Sequence, residues 1–244
     1  MGQKVNPVGF RIGITEPWRS RWYAGKKDFS TLLLEDQRIR RFIKKEYASA
    51  AVPRIDIERT RERVTVIIHT ARPGLLIGRR GAQVDKLSEQ LGNICNKPVA
   101  IRTVEIGKPE LSAQLLAESM AEQLVRRASF RRAMKKAAQL TMQAGALGIK
   151  MNVAGRLGGA EIARTEKLAI GSVPLSTLDC WVDYGFAIAR TPHGVIGIKA
   201  WVYRGKYADF RAETSRPAMG GALGHRLHAD SPRLRAAKSA YLPR

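Results

Sequence analysis

The first regular pattern of apolar and polar positions along the chain has the period of a helix. It begins at residue 28 or 30, since Asp28 and Ser30 are both suitable N-caps, and runs to about residue 47. The apolar stripe of this helix consists of Leu33, Leu34, Ile39, Phe42 and Ile43. The other faces carry Arg38, Arg40, Arg41, Lys44 and Lys45. These cations form either a solvated surface or a weak candidate for binding phosphate.

The pattern after this helix changes between the periods of strands and helices. It predicts two strands, a short helical turn, a second helix and a third strand, at residues 54–58, 63–70, 75–77, 83–91 and 98–106. Gly92 is expected to end the second helix. Together with the first helix, these elements predict an α+β domain over residues 28–107.

A second set of elements follows a linker at residues 107–109. Residues 111–144 are helical in pattern, with a break near Ser129. The first of these two helices is expected to bury Leu111, Leu115, Leu116, Met120, Leu124 and Val125. Four strands are predicted at residues 148–154, 160–170, 177–189 and 195–203. This pattern indicates a second α+β domain, residues 108–205, in which two helices pack on a four-stranded sheet.

The two ends of the chain lack a clear period. Residues 1–27 are predicted to form an N-terminal basic arm, and residues 206–244 a flexible basic tail. In the arm, residues 18–23 interleave aromatic residues with arginines. These aromatic side chains either stack on bases or sugars or pin the arm to the first domain.

Charge then narrows the choice of partner. The formal net charge is +22, from 43 Lys and Arg against 21 Asp and Glu. Such an excess repels itself in a compact fold, and a polyanionic partner is its simplest explanation. Nucleic acid is favoured over an anionic membrane or an acidic protein.

Cysteine and histidine provide no candidate metal centre. Cys95 and Cys180 are far apart in sequence, and the four histidines form no zinc-binding spacing with them. We therefore expect a reducing compartment, no metal and no cofactor. The N-terminus lacks the apolar segment of a signal peptide, and the longest apolar runs are too short for a membrane span. These features predict a cytoplasmic protein with no membrane partner.

The first candidate RNA-binding element is the loop Gly78-Arg79-Arg80-Gly81. Its two glycines allow a sharp turn and close approach to another backbone, and its arginines place two cations there. These properties suit a clamp on a sugar–phosphate chain. The Gly-x-x-Gly spacing alone is a weak signal, because residues 145–148 share it without the cations.

The second candidate is a row of cations at the start of the second long helix. Arg131, Arg132, Lys135 and Lys136 form one patch because positions four apart lie one turn apart. A cation in the first turn of a helix opposes the helix dipole, at a cost of a few tenths of a kcal/mol, about 0.3 to 1. Stability alone favours Asp or Glu there. The row therefore indicates phosphate contact over a merely solvated face.

Further cations flank these two elements. Arg126 and Arg127 come just before the row, and Arg156 and Arg164 belong to a glycine-rich segment at residues 155–164. Close approach to RNA is one explanation of that segment, and a tight turn between strands is the other. The residues expected to contact RNA are Arg72, Gly78, Arg79, Arg80, Gly81, Arg126, Arg127, Arg131, Arg132, Lys135, Lys136, Arg156 and Arg164.

The strand, apolar turn, glycine loop and amphipathic helix together resemble a KH domain of the second topological type, found mainly in bacteria. In such a domain the loop clamps the backbone of about four nucleotides. The chain up to about residue 205 resembles the bacterial S-three family of small-ribosomal-subunit proteins. The specific marks are residues 2–7, the KH loop, and residues 129–135, 155–166 and 195–199.

The resemblance implies a structural component of the head of the small ribosomal subunit, bound to the small-subunit ribosomal RNA. It would help to form the tunnel through which messenger RNA enters, beside ribosomal proteins S-four and S-five, with S-ten and S-fourteen as neighbours in the head. Arg131, Arg132 and Lys135 match the basic residues with which the family grips messenger RNA. Residues 167–170 depart from the pattern of many members, so contacts made there do not carry over.

Two other functions compete with this one. A free-standing KH-domain regulator or chaperone would use the same loop without stable assembly into a subunit. An enzyme acting on nucleic acid is disfavoured, because the sequence has no Walker-type phosphate loop and no paired carboxylates typical of a metal-ion nuclease.

Overall fold

Two four-stranded sheets, each covered by helices, organise the part of the chain that the structure describes. The structure is a computed structural model that describes residues 3–208. Residues 209–244, which make up most of the predicted basic tail, lie outside this range. The two sheets and their helices confirm the predicted α+β class.

The first unit runs from β1 to β4. Its elements are β1 (Ser20–Arg21), α2 (Phe29–Glu46), β2 (Arg54–Arg59), β3 (Val64–Thr70), α3 (Pro73–Ile77), α4 (Ala82–Cys95) and β4 (Val99–Glu105). The strands lie in the order β1-β2-β3-β4. Strands β2 and β3 are antiparallel, whereas β3 pairs with β4 in parallel. From α2 onwards, this is the element order of a KH domain of the second type.

Alternation along β3 explains how this sheet forms its core. Val64, Val66 and Ile68 are fully buried, while the residues between them are only partly covered. Ile39 and Ile43 of α2 face the same core and are also fully buried. Leu87 and Leu91 of α4 complete it. Two helices therefore cover one face of the sheet, which fixes the position of the loop that begins α4.

The second unit runs from α5 to β8. Its elements are α5 (Ala113–Val125), α6 (Phe130–Gln143), β5 (Gly148–Gly155), β6 (Arg164–Gly171), β7 (Cys180–Thr191) and β8 (Gly194–Lys206). The strands are antiparallel and lie in the order β6-β5-β8-β7. Both helices share one core with this sheet.

Helix α5 packs closely on β7 through small residues. Ala113 and Ala117 are fully buried, whereas Val125, which was predicted to be buried, is 48% exposed. Leu111, Leu115 and Leu116 are only partly buried. A Cβ atom on Gly185 would overlap the carbonyl oxygen of Ala113. The backbones of α5 and β7 are therefore in direct contact at this point. The predicted leucine stripe was wrong for part of the buried face of α5.

Residues 3–27, the described part of the predicted N-terminal arm, are more regular than predicted. Helix α1 (Pro7–Arg11) is capped by Asn6, whose Oδ1 accepts from the amides of Val8 at 2.9 Å and Gly9 at 3.4 Å. Strand β1 pairs in parallel with β2. A helix of one turn and a strand of two residues are too short to produce a detectable period, which is why the sequence pattern missed them.

Arg11 attaches α1 to the second unit. Its side chain is fully buried. Its guanidinium donates to the carbonyl oxygens of Cys180 at 2.8 Å, Thr177 at 2.7 Å and Pro7 at 3.0 Å. Longer bonds reach the carbonyls at 174 and 175. Since β1 belongs to the first sheet, the N-terminal segment contacts both units.

Several predicted boundaries were also wrong. Helix α4 continues past Gly92 to Cys95, and Asn96 in the left-handed region ends it. Strand β6 begins at Arg164, four residues later than predicted, because residues 160–163 are irregular and bend after a short 3₁₀ helix at Leu157–Gly159. Strand β8 extends to Lys206, three residues beyond the predicted end of the strand at residue 203.

The contact at Gly185 gives a test of this packing. Replacing Gly185 by Ala should lower the free energy of unfolding by about 3 kcal/mol, the upper part of the range for overpacking, because the clashing atoms are backbone. Gly197→Ala in the neighbouring strand β8 is the matched control, since its Cβ would meet only Phe186, at 3.9 Å. Urea unfolding of both variants measures the difference. Equal midpoints would contradict the close approach of α5 to β7.

Candidate nucleic-acid interface

The glycine loop between α3 and α4 has an unusual backbone. Gly78 has φ 71° and ψ −176°, and Gly81 has φ 84°. Arg80 lies between them with φ 55°, a left-handed conformation that is uncommon for a residue with a side chain. Leu76, fully buried just before the loop, anchors it to the core. The backbone therefore turns sharply while Arg79 and Arg80 point into solvent.

The loop leads directly into the N-terminus of α4. Gly81 occupies the N-cap position and supplies no side-chain hydrogen bond, so the first amides of the helix are not capped by it. Helix N-termini attract anions through such amides and through the helix dipole. Arg79 and Arg80 make no ion pair with any residue in the range 3–208. Amides and two free guanidinium groups together can hold phosphate.

Arg72 lies at the start of the same region. It precedes α3, its side chain is exposed, and its amide donates to Thr70 Oγ1 at 3.1 Å. Thr70 Oγ1 in turn donates to the carbonyl of Ala50 at 2.6 Å. The backbone at Arg72 is thus fixed to the core, while its cation remains available on the side of the loop.

The row of cations on α6 forms a continuous exposed surface. Arg131, Arg132, Lys135 and Lys136 are all exposed, whereas Ala133, Met134, Ala137 and Ala138 on the opposite side are buried. The first turn contains no acidic residue. The four cations line a shallow depression together with Ser129 and Gln139. We call these four residues the basic row.

One carboxylate approaches the basic row. Glu166 Oε1 lies 3.6 Å from Arg131 NH2 and 3.7 Å from Arg164 Nε. Both guanidinium groups also lie over the ring of Phe130, at 5.5 and 5.6 Å from its centroid. Arg132, Lys135 and Lys136 have no ion pair within residues 3–208. The structure therefore brings Arg164 to the basic row and leaves most of the row's charge uncompensated.

Arg126 and Arg127 form the turn between α5 and α6, and both are exposed. The amide of Arg126 donates to Glu122 O at 3.0 Å, which closes the last turn of α5. Arg127 has φ 59°, in the left-handed region. The turn therefore places two more cations next to the N-terminus of α6.

Arg156 differs from the other predicted RNA-binding residues. Its Nε donates to the carbonyl of Ala160 and its NH1 to that of His193, both at 2.9 Å. Gly158 and Gly159 in the same segment have φ of 69° and 82°. The arginine holds a tight turn, which favours that explanation of the segment. RNA contact by Arg156 stays a prediction, as it does for the other site residues.

Two explanations were given for the aromatic residues before α2: stacking on bases or sugars, and pinning of the arm to the first domain. Different residues support each of them. Trp22 Nε1 donates to Asp36 Oδ2 at 2.8 Å, and its ring packs on Phe29 with centroids 5.4 Å apart. Trp18 and Tyr23 are 62% and 97% exposed. Trp22 therefore pins the N-terminal segment to α2, while the other two rings remain open to contact.

Sequence reasoning missed the part that Phe130 and Glu166 have in this surface. Both occur in motifs noted above, but their shared contacts with Arg131 and Arg164 depend on the position of β6, which pairs with β5 so that Glu166 lies opposite Val153. Among residues 3–208 no group of three or more potential metal ligands is found. No helix in that range is long and apolar enough to cross a membrane.

Two protein-family models match separate parts of the chain. The model described as KH domain matches residues 38–111, which include the glycine loop. The model described as Ribosomal protein S3, C-terminal domain matches residues 120–202, which include the basic row. The two surfaces thus lie in different family domains.

Curated relatives are similar over most of the chain. The small ribosomal subunit protein uS3 of Rhodopirellula baltica is 53% identical over 214 residues, which cover 86% of this chain and 91% of the relative. That of Ruegeria pomeroyi is 55% identical over 209 residues, covering 86% and 89%. That of Coxiella burnetii is 52% identical over 206 residues, covering 84% and 91%. With this identity across most of its length and both family domains in order, the chain belongs to the uS3 family of small ribosomal subunit proteins.

Proposed function

We propose that the chain binds small-subunit ribosomal RNA in the head of the subunit and contacts messenger RNA where it enters. As a member of the uS3 family, it is a structural, non-enzymatic constituent of the small ribosomal subunit, located in the cytoplasmic ribosome. The finer assignment assumes two RNA-binding surfaces, the KH loop in residues 28–107 and the basic row in residues 108–205.

The observation that carries the proposal is the uncompensated charge of the basic row. Four exposed cations occupy the first two turns of α6, and the helix dipole opposes the two in the first turn, Arg131 and Arg132. Within residues 3–208 one carboxylate, that of Glu166, approaches the row, 3.6 Å from Arg131. Natural folds break such local rules mainly at functional sites. A strand of phosphates supplies the missing negative charge. Arg131, Arg132 and Lys135 would therefore grip incoming messenger RNA.

The KH loop is the second proposed contact. Its positive-φ residues expose backbone to a close partner, and Arg79 and Arg80 lie at the N-terminus of α4. Such a loop clamps a nucleic-acid backbone without reading many bases. We assign this loop to ribosomal RNA, with Arg72 extending the same surface.

Opening of messenger structure would be passive. The cations would hold a strand that has already separated, so that the ribosome's movement supplies the work. We propose S-four and S-five as neighbours at the tunnel for incoming messenger RNA, and S-ten and S-fourteen as neighbours in the head. Sedimentation through a sucrose gradient after a high-salt wash tests the assignment. About one copy per small subunit is expected, whereas release with heterogeneous RNA would favour a free-standing regulator.

Reversing the charge of the KH loop should weaken RNA binding. Arg79→Asp with Arg80→Asp removes two cations from the start of α4, so affinity for small-subunit ribosomal RNA should fall and its salt dependence become shallower by about 0.7 for each lost contact. Filter binding at several salt concentrations measures both. Arg61→Asp with Arg63→Asp, in the exposed β2–β3 turn, controls for net charge. Unchanged binding with native circular dichroism would refute the clamp.

Removing the basic row should affect messengers according to their structure. Alanine at Arg131, Arg132 and Lys135 leaves the buried side of α6 intact, so the variant should still assemble into subunits. Translation of a messenger with a stable hairpin should slow severalfold, while an unstructured messenger should be translated normally. Alanine at Lys26, Lys27 and Arg63 removes equal charge from the first unit as a control. Equal slowing of both messengers would contradict a role in strand opening.

A further inference from the structure

A small cavity opens beside the first turn of α6. It has a volume of about 170 Å³. Three segments that are distant in sequence enclose it: the α5–α6 turn, the glycine segment after β5, and the β7–β8 turn. The lining includes Arg127, Ala128, Phe130, Leu157, Thr191 and His193.

We propose that this cavity receives a single unstacked nucleobase of the RNA strand whose phosphates lie on the basic row. The inference rests on the proposed function, because it requires a strand at that row. It assigns the glycine segment, whose significance the sequence left open, to one wall of a base-binding site.

The size and chemistry of the cavity suit one planar base. A volume of 170 Å³ is many times the roughly 10–15 Å³ that a single water needs on the same measure, so a small planar group has room to enter. Phe130 contributes an aromatic ring, and Ala128 and Pro192 add apolar surface. Leu157 and Ile196, 1% and 4% exposed, lie beneath them and close the floor of the cavity. Apolar walls with few polar groups are typical of ligand sites.

The rim of the cavity is already fixed. Arg156 joins the glycine segment to the β7–β8 turn through the carbonyls of Ala160 and His193. Thr191 Oγ1 donates to Gly194 O at 2.7 Å, which closes that turn. The ring of His193 packs on Gly159, where a Cβ atom would lie 3.1 Å from His193 Cδ2. A rim held in this way loses little conformational freedom when a ligand binds.

Charge places a strand at the mouth of the cavity. Phe130 lines the cavity and also begins α6, so the cavity is continuous with the basic row. Arg131 and Arg164 both lie over its ring, and Arg127 also lines the cavity. Phosphates held by these cations would leave the attached base facing the apolar opening. An acidic peptide would bind through the cations alone and would leave the cavity empty.

Binding of a base in the cavity would bias passive strand opening towards the separated strands. A base inside the cavity cannot pair again with its former partner, so each transient opening at the row would be retained. The site should act on single strands, since a paired and stacked base must first be extruded at an energetic cost.

Filling the cavity tests this inference. Wild-type protein should bind single-stranded oligouridylate about tenfold more tightly than an abasic ribose–phosphate chain of the same length, a typical effect of stacking one base. Ala128→Leu, made together with Arg79→Asp and Arg80→Asp so that the KH loop does not contribute, should reduce binding of oligouridylate towards the abasic level. Compared with the loop variant alone, it should leave binding of the abasic chain and the salt dependence unchanged, since Ala128→Leu removes no cation. Ala163→Leu, at an exposed position outside the cavity, should have no effect.

Two results would overturn the proposal in distinguishable ways. If wild-type protein binds both oligomers equally while alanine at Arg131, Arg132 and Lys135 weakens both, the cavity takes no base and the basic row keeps its function. If those alanines leave both affinities unchanged, the proposed function fails, and base capture with it.

Photocrosslinking gives a second measurement that does not depend on the folding of Ala128→Leu. An oligonucleotide containing 4-thiouridine should crosslink to residues 127–130 or 191–193 of the wild-type protein, as mapped by mass spectrometry. Crosslinks confined to the exposed face of α6 would place the base outside the cavity and refute the inference.

Discussion

Excess positive charge is the constraint under which the rest of this fold is built. Carboxylates such as that of Asp36 pair with cations in the interior of the fold. Asp36 is fully buried and accepts hydrogen bonds from Ser20, Trp22 and Arg59, at 2.9, 2.8 and 2.8 Å. Arg59 also donates to Glu35 Oε2 at 2.6 Å. Burial opposes the charge of Arg59, but these hydrogen bonds to carboxylates outweigh it and raise the pKa of its guanidinium.

Asp56, on β2, is a second carboxylate that pairs with cations in the interior. Burial alone would raise its pKa, but hydrogen bonds with His69 and Arg54 outweigh burial, so the pKa of Asp56 lies below its ordinary value. Its ionised form therefore stabilises the fold above the pKa of an unfolded aspartate, and this contribution is lost as pH falls through the lower folded value. Carboxylates that are buried in such contacts cannot neutralise the cations on the outer surface. Because RNA binds the folded charge pattern, binding should in turn stabilise the fold.

How far the sequence predicted this structure depended on the range of the interactions. Helix α2 and strand β3 carry strong local periods and were predicted within a residue or two. The approach of α5 to Gly185 was missed, because a glycine in a strand does not reveal which backbone will meet it. The meeting of Arg164 with Arg131 over Phe130 was also missed, since the two arginines are 33 positions apart in sequence (164 − 131) and are brought together only by the tertiary fold. The local sequence pattern identified the candidate cations themselves, but it did not predict how they are arranged in space.

Exposure separates arginines that hold the fold from those available to RNA. Arg11 and Arg156 both direct their guanidinium groups at backbone carbonyls, so their charge is used to join segments. Arg131 keeps 72% of its side chain exposed and shares Glu166 with Arg164 at distances above 3.5 Å. A closer pair would offset the unfavourable dipole at the start of α6 but would also cancel the charge that attracts phosphate. The long contact with Glu166 therefore leaves most of the charge of both guanidinium groups uncompensated, as the proposed RNA contact requires.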